Sequence, residues 1–186
     1  MTLGLHCSCA NRSPLRTVAL EEGLPAAACA DCGAVLLQMD DWRRWRSRSP
    51  QIPMPSDASL VTEVPADPGR ARACPACTRL MQRMPVHNAQ DFRVDRCVPC
   101  QYLWLDPGEW AALVRLGVAV QLDTLLSEAG QRRLQNERLL AARMQTLRQR
   151  HGDERIDEVL RFRRWLAEQP LADELMALLR SPEGPL

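Results

Sequence analysis

The chain contains no lysine. All 24 of its basic side chains are arginine, against 23 acids, for a formal net charge of +1. A chain so nearly neutral has no global field to draw it onto nucleic acid or an anionic membrane. Arginine suits bidentate phosphate or carboxylate contacts, but a GC-rich coding bias gives the same composition. Aromatic side chains are also scarce, at 4%, and five of the eight are tryptophan, so large apolar anchors are few.

Long apolar runs are missing as well. No stretch approaches the roughly 18 residues of a membrane span. The segment Met1 to Cys7 has neither a basic start nor an apolar run, so no secretory signal is read there, and His6 stands where a lipoprotein signal needs a small residue. A cytoplasmic protein without membrane contact is the expectation. No Ser/His/Asp set, phosphate-binding loop or paired-carboxylate motif occurs, and His6, His87 and His151 lie far apart in sequence. No enzyme is expected.

What the chain does have is cysteine, at positions 7, 9, 29, 32, 74, 77, 97 and 100. Cys74-Pro-Ala-Cys77 and Cys97-Val-Pro-Cys100 form two C-x2-C pairs separated by nineteen residues. This is zinc-ribbon spacing: each short knuckle turns two thiolates toward one tetrahedral ion, and a hairpin between them closes the site. In a reducing compartment such pairs read as metal ligands before disulfides.

Shifting the sequence by 68 positions superimposes Cys9, Cys29 and Cys32 on Cys77, Cys97 and Cys100, and Trp42 on Trp110. The chain therefore contains an internal repeat. Its first knuckle is irregular, because Cys7-Ser8-Cys9 is C-x-C and His6 falls on Cys74. Two ligand sets are open, Cys7/Cys9/Cys29/Cys32 or His6/Cys9/Cys29/Cys32. Either gives the four N/S donors of a closed structural site. The second set is Cys74/Cys77/Cys97/Cys100, so two zinc ions per chain are expected.

The second repeat resembles the bacterial TFIIB-type zinc-ribbon family over about residues 73–114. The shared elements are Cys74-Pro75-Ala76-Cys77, Cys97-Val98-Pro99-Cys100, Trp104-Leu105-Asp106 and Gly108-Glu109. Gln101-Tyr102 depart from the glycines that the family places after its last cysteine. The first repeat is similar but degenerate, with Leu36-Leu37-Gln38 for Trp104-Leu105-Asp106. A shared ribbon does not imply a shared role.

The expected fold is small α+β: ribbon 1 over 1–46, a proline-rich linker over 47–72, ribbon 2 over 73–118 and an α-helical region over 119–186. Asp106 reads as the N-cap of a helix with Pro107 in its first turn. Leu126, Leu140, Met144 and Leu147 suggest one face of a helix ending near Arg150. Gly152 stops it, Asp153 can cap the next, and Pro170 opens a third. Trp42, Trp104 and Trp110 read as core residues. The expected function is a non-catalytic protein-interaction or regulatory module, with a protein partner. The alternative is a nucleic-acid-associated regulator using the arginines at 132, 133, 138, 143, 148 and 150.

Overall fold

The computed structural model describes residues 4–48, 69, 71–87 and 92–181. The prolines expected to form a linker, Pro50 to Pro68, and the strand suggested by Leu60, Val61 and Val64 lie outside the described residues.

Each cysteine-bearing repeat folds as a hairpin, a third strand and a helix. In the first, β1 (Leu15–Glu21) and β2 (Leu24–Cys29) are joined by Glu22-Gly23, with Gly23 at φ +76°. Two-residue hairpin turns need that left-handed backbone. β3 (Val35–Gln38) and helix α1 (Met39–Arg48) follow. In the second repeat the order recurs as β4 (Gln82–Pro85), β5 (Arg93–Cys97), β6 (Tyr102–Leu105) and α2 (Glu109–Arg115). The remaining helices are α3 (Leu122–Leu125), α4 (Glu128–His151), α5 (Asp153–Ala167) and α6 (Ala172–Arg180).

The two repeats are not separate bodies. Their strands form one antiparallel sheet in the order β1-β2-β3-β6-β5-β4, joined where β3 pairs with β6. Leu36 lies opposite Trp104, Val35 opposite Leu105 and Leu37 opposite Leu103. Leu36 and Trp104 are equivalent residues of the repeat, and so are Leu37 with Leu105 and Val35 with Leu103. The seam is therefore isologous, as in a twofold dimer, but lies within one chain.

Alternate side chains of the seam point to opposite faces. Leu37, Leu103 and Leu105 join Val94, Trp42, Trp45, Trp110, Leu113 and Leu122 in the main core beneath the helices. Leu36 and Trp104 point the other way, into a smaller cluster with Cys7, Cys29, Cys74 and Cys97. Helices thus cover one face and the cysteines lie on the other. Trp42, Trp104 and Trp110 are all core residues, as expected. Trp42 Nε1 donates to Ala119 O at 2.9 Å and Trp110 Nε1 to Glu21 Oε1 at 2.8 Å, so their indole N–H groups are satisfied.

The helix starts differ from the expectation. Asp106 does not cap α2 with its side chain; Gly108, at φ +85°, occupies the N-cap, and the helix begins at Glu109. Glu109 instead reaches back, its Oε2 accepting the Asp106 N–H at 2.7 Å, as the second half of a capping box does. Asp153 likewise lies inside the first turn of α5 and pairs with Arg148, with Gly152 at the N-cap. Leu126 is buried ahead of α4 rather than on it, and Leu140 is exposed.

The chain forms two compact units, Met1–Asn136 and Glu137–Leu186, with the division inside α4. In the second unit, Leu166 is the one buried side chain among the described residues.

Candidate metal centres

All eight cysteines come together in two groups of four. Within Cys7/Cys9/Cys29/Cys32, and again within Cys74/Cys77/Cys97/Cys100, the sulfurs lie within 4.8 Å of one another. Each group takes one pair from the knuckle that precedes a hairpin and one from the knuckle that follows it. The C-terminal pair begins at the last residue of β2 or β5, Cys29 or Cys97. The chain must then reverse within two residues, which forces a left-handed residue next to the second cysteine. Gly33 has φ +70° and its counterpart Gln101 has φ +56°. The glutamine therefore accepts a conformation that costs it about 1 kcal/mol or more, and its Nε2 donates to Val98 O at 2.7 Å.

The N-terminal knuckles differ in length. In the second repeat, Cys74 N donates to Arg79 O at 2.8 Å and Ala73 forms an isolated bridge with Leu80. In the first, Cys7 N donates to Ser13 O at 2.8 Å and His6 bridges Pro14. His6 thus takes the place of Ala73, not of Cys74, and is exposed. Cys7 takes the place of Cys74. One residue is missing between the cysteines of the first knuckle, and two are added after them.

Sulfur spacing tests what the groups can hold. Cys7 and Cys32 are 3.5 Å apart, Cys9 and Cys29 3.9 Å, and Cys77 and Cys97 3.6 Å. A disulfide needs about 2.05 Å, and all eight cysteines are free thiols. A tetrahedral ion with sulfurs at about 2.3 Å sets them roughly 3.8 Å apart. The donors fit such an ion. Cys7, Cys29, Cys74 and Cys97 are buried and Cys9, Cys32, Cys77 and Cys100 half-buried, the same alternation in both groups.

The electrostatics of the thiols follow the same symmetry. Cys9 is lowered to about 7, chiefly by its hydrogen bond with the Cys7 thiol, and Cys77 to about 7, chiefly by the Arg79 backbone N–H. Burial pushes Cys7, Cys32 and Cys74 up. Cys100 rises to about 12, first through its hydrogen bond with Cys77 and then through burial. Each group therefore offers one sulfur that ionises readily, while others give up protons only to a cation. Binding would release protons and weaken as pH falls.

Beside the second group lies a charged cluster that cysteine spacing could not reveal. Arg72 sits over the Trp104 ring at 5.2 Å and pairs with Asp95 at 3.3 Å and with Asp106. Trp104 Nε1 also donates to Asp106, at 3.1 Å. Burial raises Glu109 to about 8 and raises Asp95 as well, the latter opposed by Arg83 and Arg72. With one arginine shared between two carboxylates, this cluster braces the turn before α2.

Compared with known proteins, the chain matches no family model, and no curated protein or solved structure is significantly similar to it. No helix among the described residues is long and apolar enough to cross a membrane.

Proposed function

We propose that the chain is a non-catalytic zinc-binding protein. Its two four-cysteine groups are structural zinc ribbons of the TFIIB type, and the whole serves as a protein-interaction or regulatory module. The observation that carries this reading is the twofold recurrence of four free sulfurs at tetrahedral spacing. Soft thiolate donors in that geometry select zinc over hard cations. With all four positions taken by protein, a bound ion has no vacancy for substrate or water. Its chemistry is to cross-link strand ends that so small an interior would hold poorly.

The nucleic-acid reading draws less support. Arg132 pairs with Glu128, and Arg148 pairs with Asp153 at 3.1 Å and Asp157 at 2.6 Å. Arginines neutralised in this way are poor trackers of phosphate.

The test is Cys97→Ser in the full chain, with metal content and far-UV circular dichroism measured together. Loss of one zinc per chain and of sheet signal supports the reading. Retention of both ions with native structure removes Cys97 from the ligand set and overturns it.

A further inference from the structure

The second unit, Glu137–Leu186, has almost no interior of its own. Of eleven exposed large apolar side chains among the described residues, eight lie in this unit. Three lie on α5, Val159, Phe162 and Trp165; three more, Leu171, Leu178 and Leu179, lie at or on α6; two are leucines of α4. At roughly 200 Å² per fully exposed large side chain, the eight together present about 900 Å², of which α5 supplies about 300 Å². One side of a standard protein–protein interface is about 800 Å². A unit of fifty residues with one buried leucine among its described residues is small for a stable domain, and oligomerisation is a usual remedy at this size.

Most of the α5 stripe is turned away from α4. Arg148 of α4 holds Asp153 and Asp157, which marks the side of α5 that faces α4. At about 100° per residue, Val159 and Phe162 lie roughly 200° and 140° around the helix from Asp157, and Trp165 lies on the flank at roughly 80°. Phe162 stacks against Trp165 with ring centroids 5.4 Å apart, and the two are 45% and 50% exposed.

We propose that this face is a self-association interface, in which α5 packs antiparallel against α5 of a second copy of the chain. Charge selects both the partner and the direction. The first half of α5 carries Asp153, Glu154, Asp157 and Glu158 against the single Arg155, and the second half Arg161, Arg163 and Arg164. Arg148 holds Asp153 and Asp157, so Glu154 and Glu158 are the acids of the first half left to meet a partner. An antiparallel pair lays each acidic half beside the other chain's basic half, and the helix dipoles also oppose. A parallel pair would place like beside like. Residues 137–186 hold nine arginines and nine acids, the balance a self-pairing surface requires, whereas a surface for an acidic or basic partner carries an excess of one sign.

This inference is separable from the zinc reading, since metal content can be followed on the same samples. The experiment is sedimentation equilibrium of the full, metal-loaded chain under reducing conditions. Wild-type chain sediments as a dimer. Phe162→Glu weakens association at least about tenfold with helix content and metal unchanged. Glu154→Arg/Glu158→Arg and Arg161→Glu/Arg163→Glu each sediment as monomers, and mixing the two restores a dimer, because the blocks are again opposite. A wild-type monomer overturns the proposal, whether or not another protein binds the face. So does a dimer indifferent to Phe162→Glu, or charge variants that fail to recover when mixed.

Discussion

Leu36 on β3 stands opposite Trp104 on β6, and the two are counterparts in the repeat, 68 positions apart. A residue paired with its own equivalent marks a local twofold axis. Next to it, Met39 N donates to Gln101 O at 2.9 Å. The symmetry-related contact sets Pro107 against Gly33. Proline has no N–H to give, and a β-carbon on Gly33 would stand 3.4 Å from Pro107 Cγ. The seam is thus hydrogen-bonded at one end and packed at the other.

Trp104 lies on that axis, 1% exposed, between the two cysteine groups. Trp104→Ala should cost about 3–5 kcal/mol and remove the platform under Arg72. Urea denaturation of the metal-loaded protein will show the loss as a lower midpoint. A change below about 1 kcal/mol would mean that the two halves do not depend on their shared seam.

Glu109 gives a pH-dependent prediction. Its carboxyl, chiefly through burial, is raised from an ordinary 4.5 to about 8 in the folded protein. The folded chain therefore holds a proton that the unfolded chain has released, and stability falls as pH rises from about 4.5 to about 8, then levels off. Glu109→Gln keeps an oxygen to accept the Asp106 N–H but has no charge to bury. The variant should be more stable than wild type above pH 8, by a few kcal/mol at most, each pKa unit being about 1.4 kcal/mol. It should also lose the slope between pH 6 and 8. Equal slopes in denaturation curves across that range would contradict this.

Gly130, in the first turn of α4, is required by contact rather than by backbone angle. A β-carbon there would fall 2.0 Å from Thr124 O and 2.9 Å from Leu125 O, both backbone atoms. Alanine is the better helix former, so propensity alone predicts that Gly130→Ala stabilises. The close approach predicts the reverse, a loss of about 1–3 kcal/mol, read as a lower thermal midpoint.

The grouping of the cysteines was legible in the sequence because ligand spacing is a local property: a knuckle and a hairpin can bring their own sulfurs together. The 68-residue offset also gave the matching tryptophans. It did not give the seam, because pairing Val35–Gln38 with Tyr102–Leu105 is a long-range choice between two short apolar strands. The offset equated His6 with Cys74 because it assumed knuckles of equal length. The structure moves the extra residues to the far side of Cys9, so Cys7 fills the place. Asp106 looked like an N-cap, but Gly108 turns left-handed and delays the helix. Nothing local to Gly130 announces that a β-carbon there would meet Thr124 O at 2.0 Å.

Sulfur-bound metal is the claim on which the rest depends. Elemental analysis of protein purified from reducing cytosol, paired with counting of reactive thiols, tests it in one experiment. Two zinc ions per chain are expected, with eight thiols unreactive until a chelator or acid frees them. Folded protein carrying no metal, its eight thiols open to reagent, would contradict it.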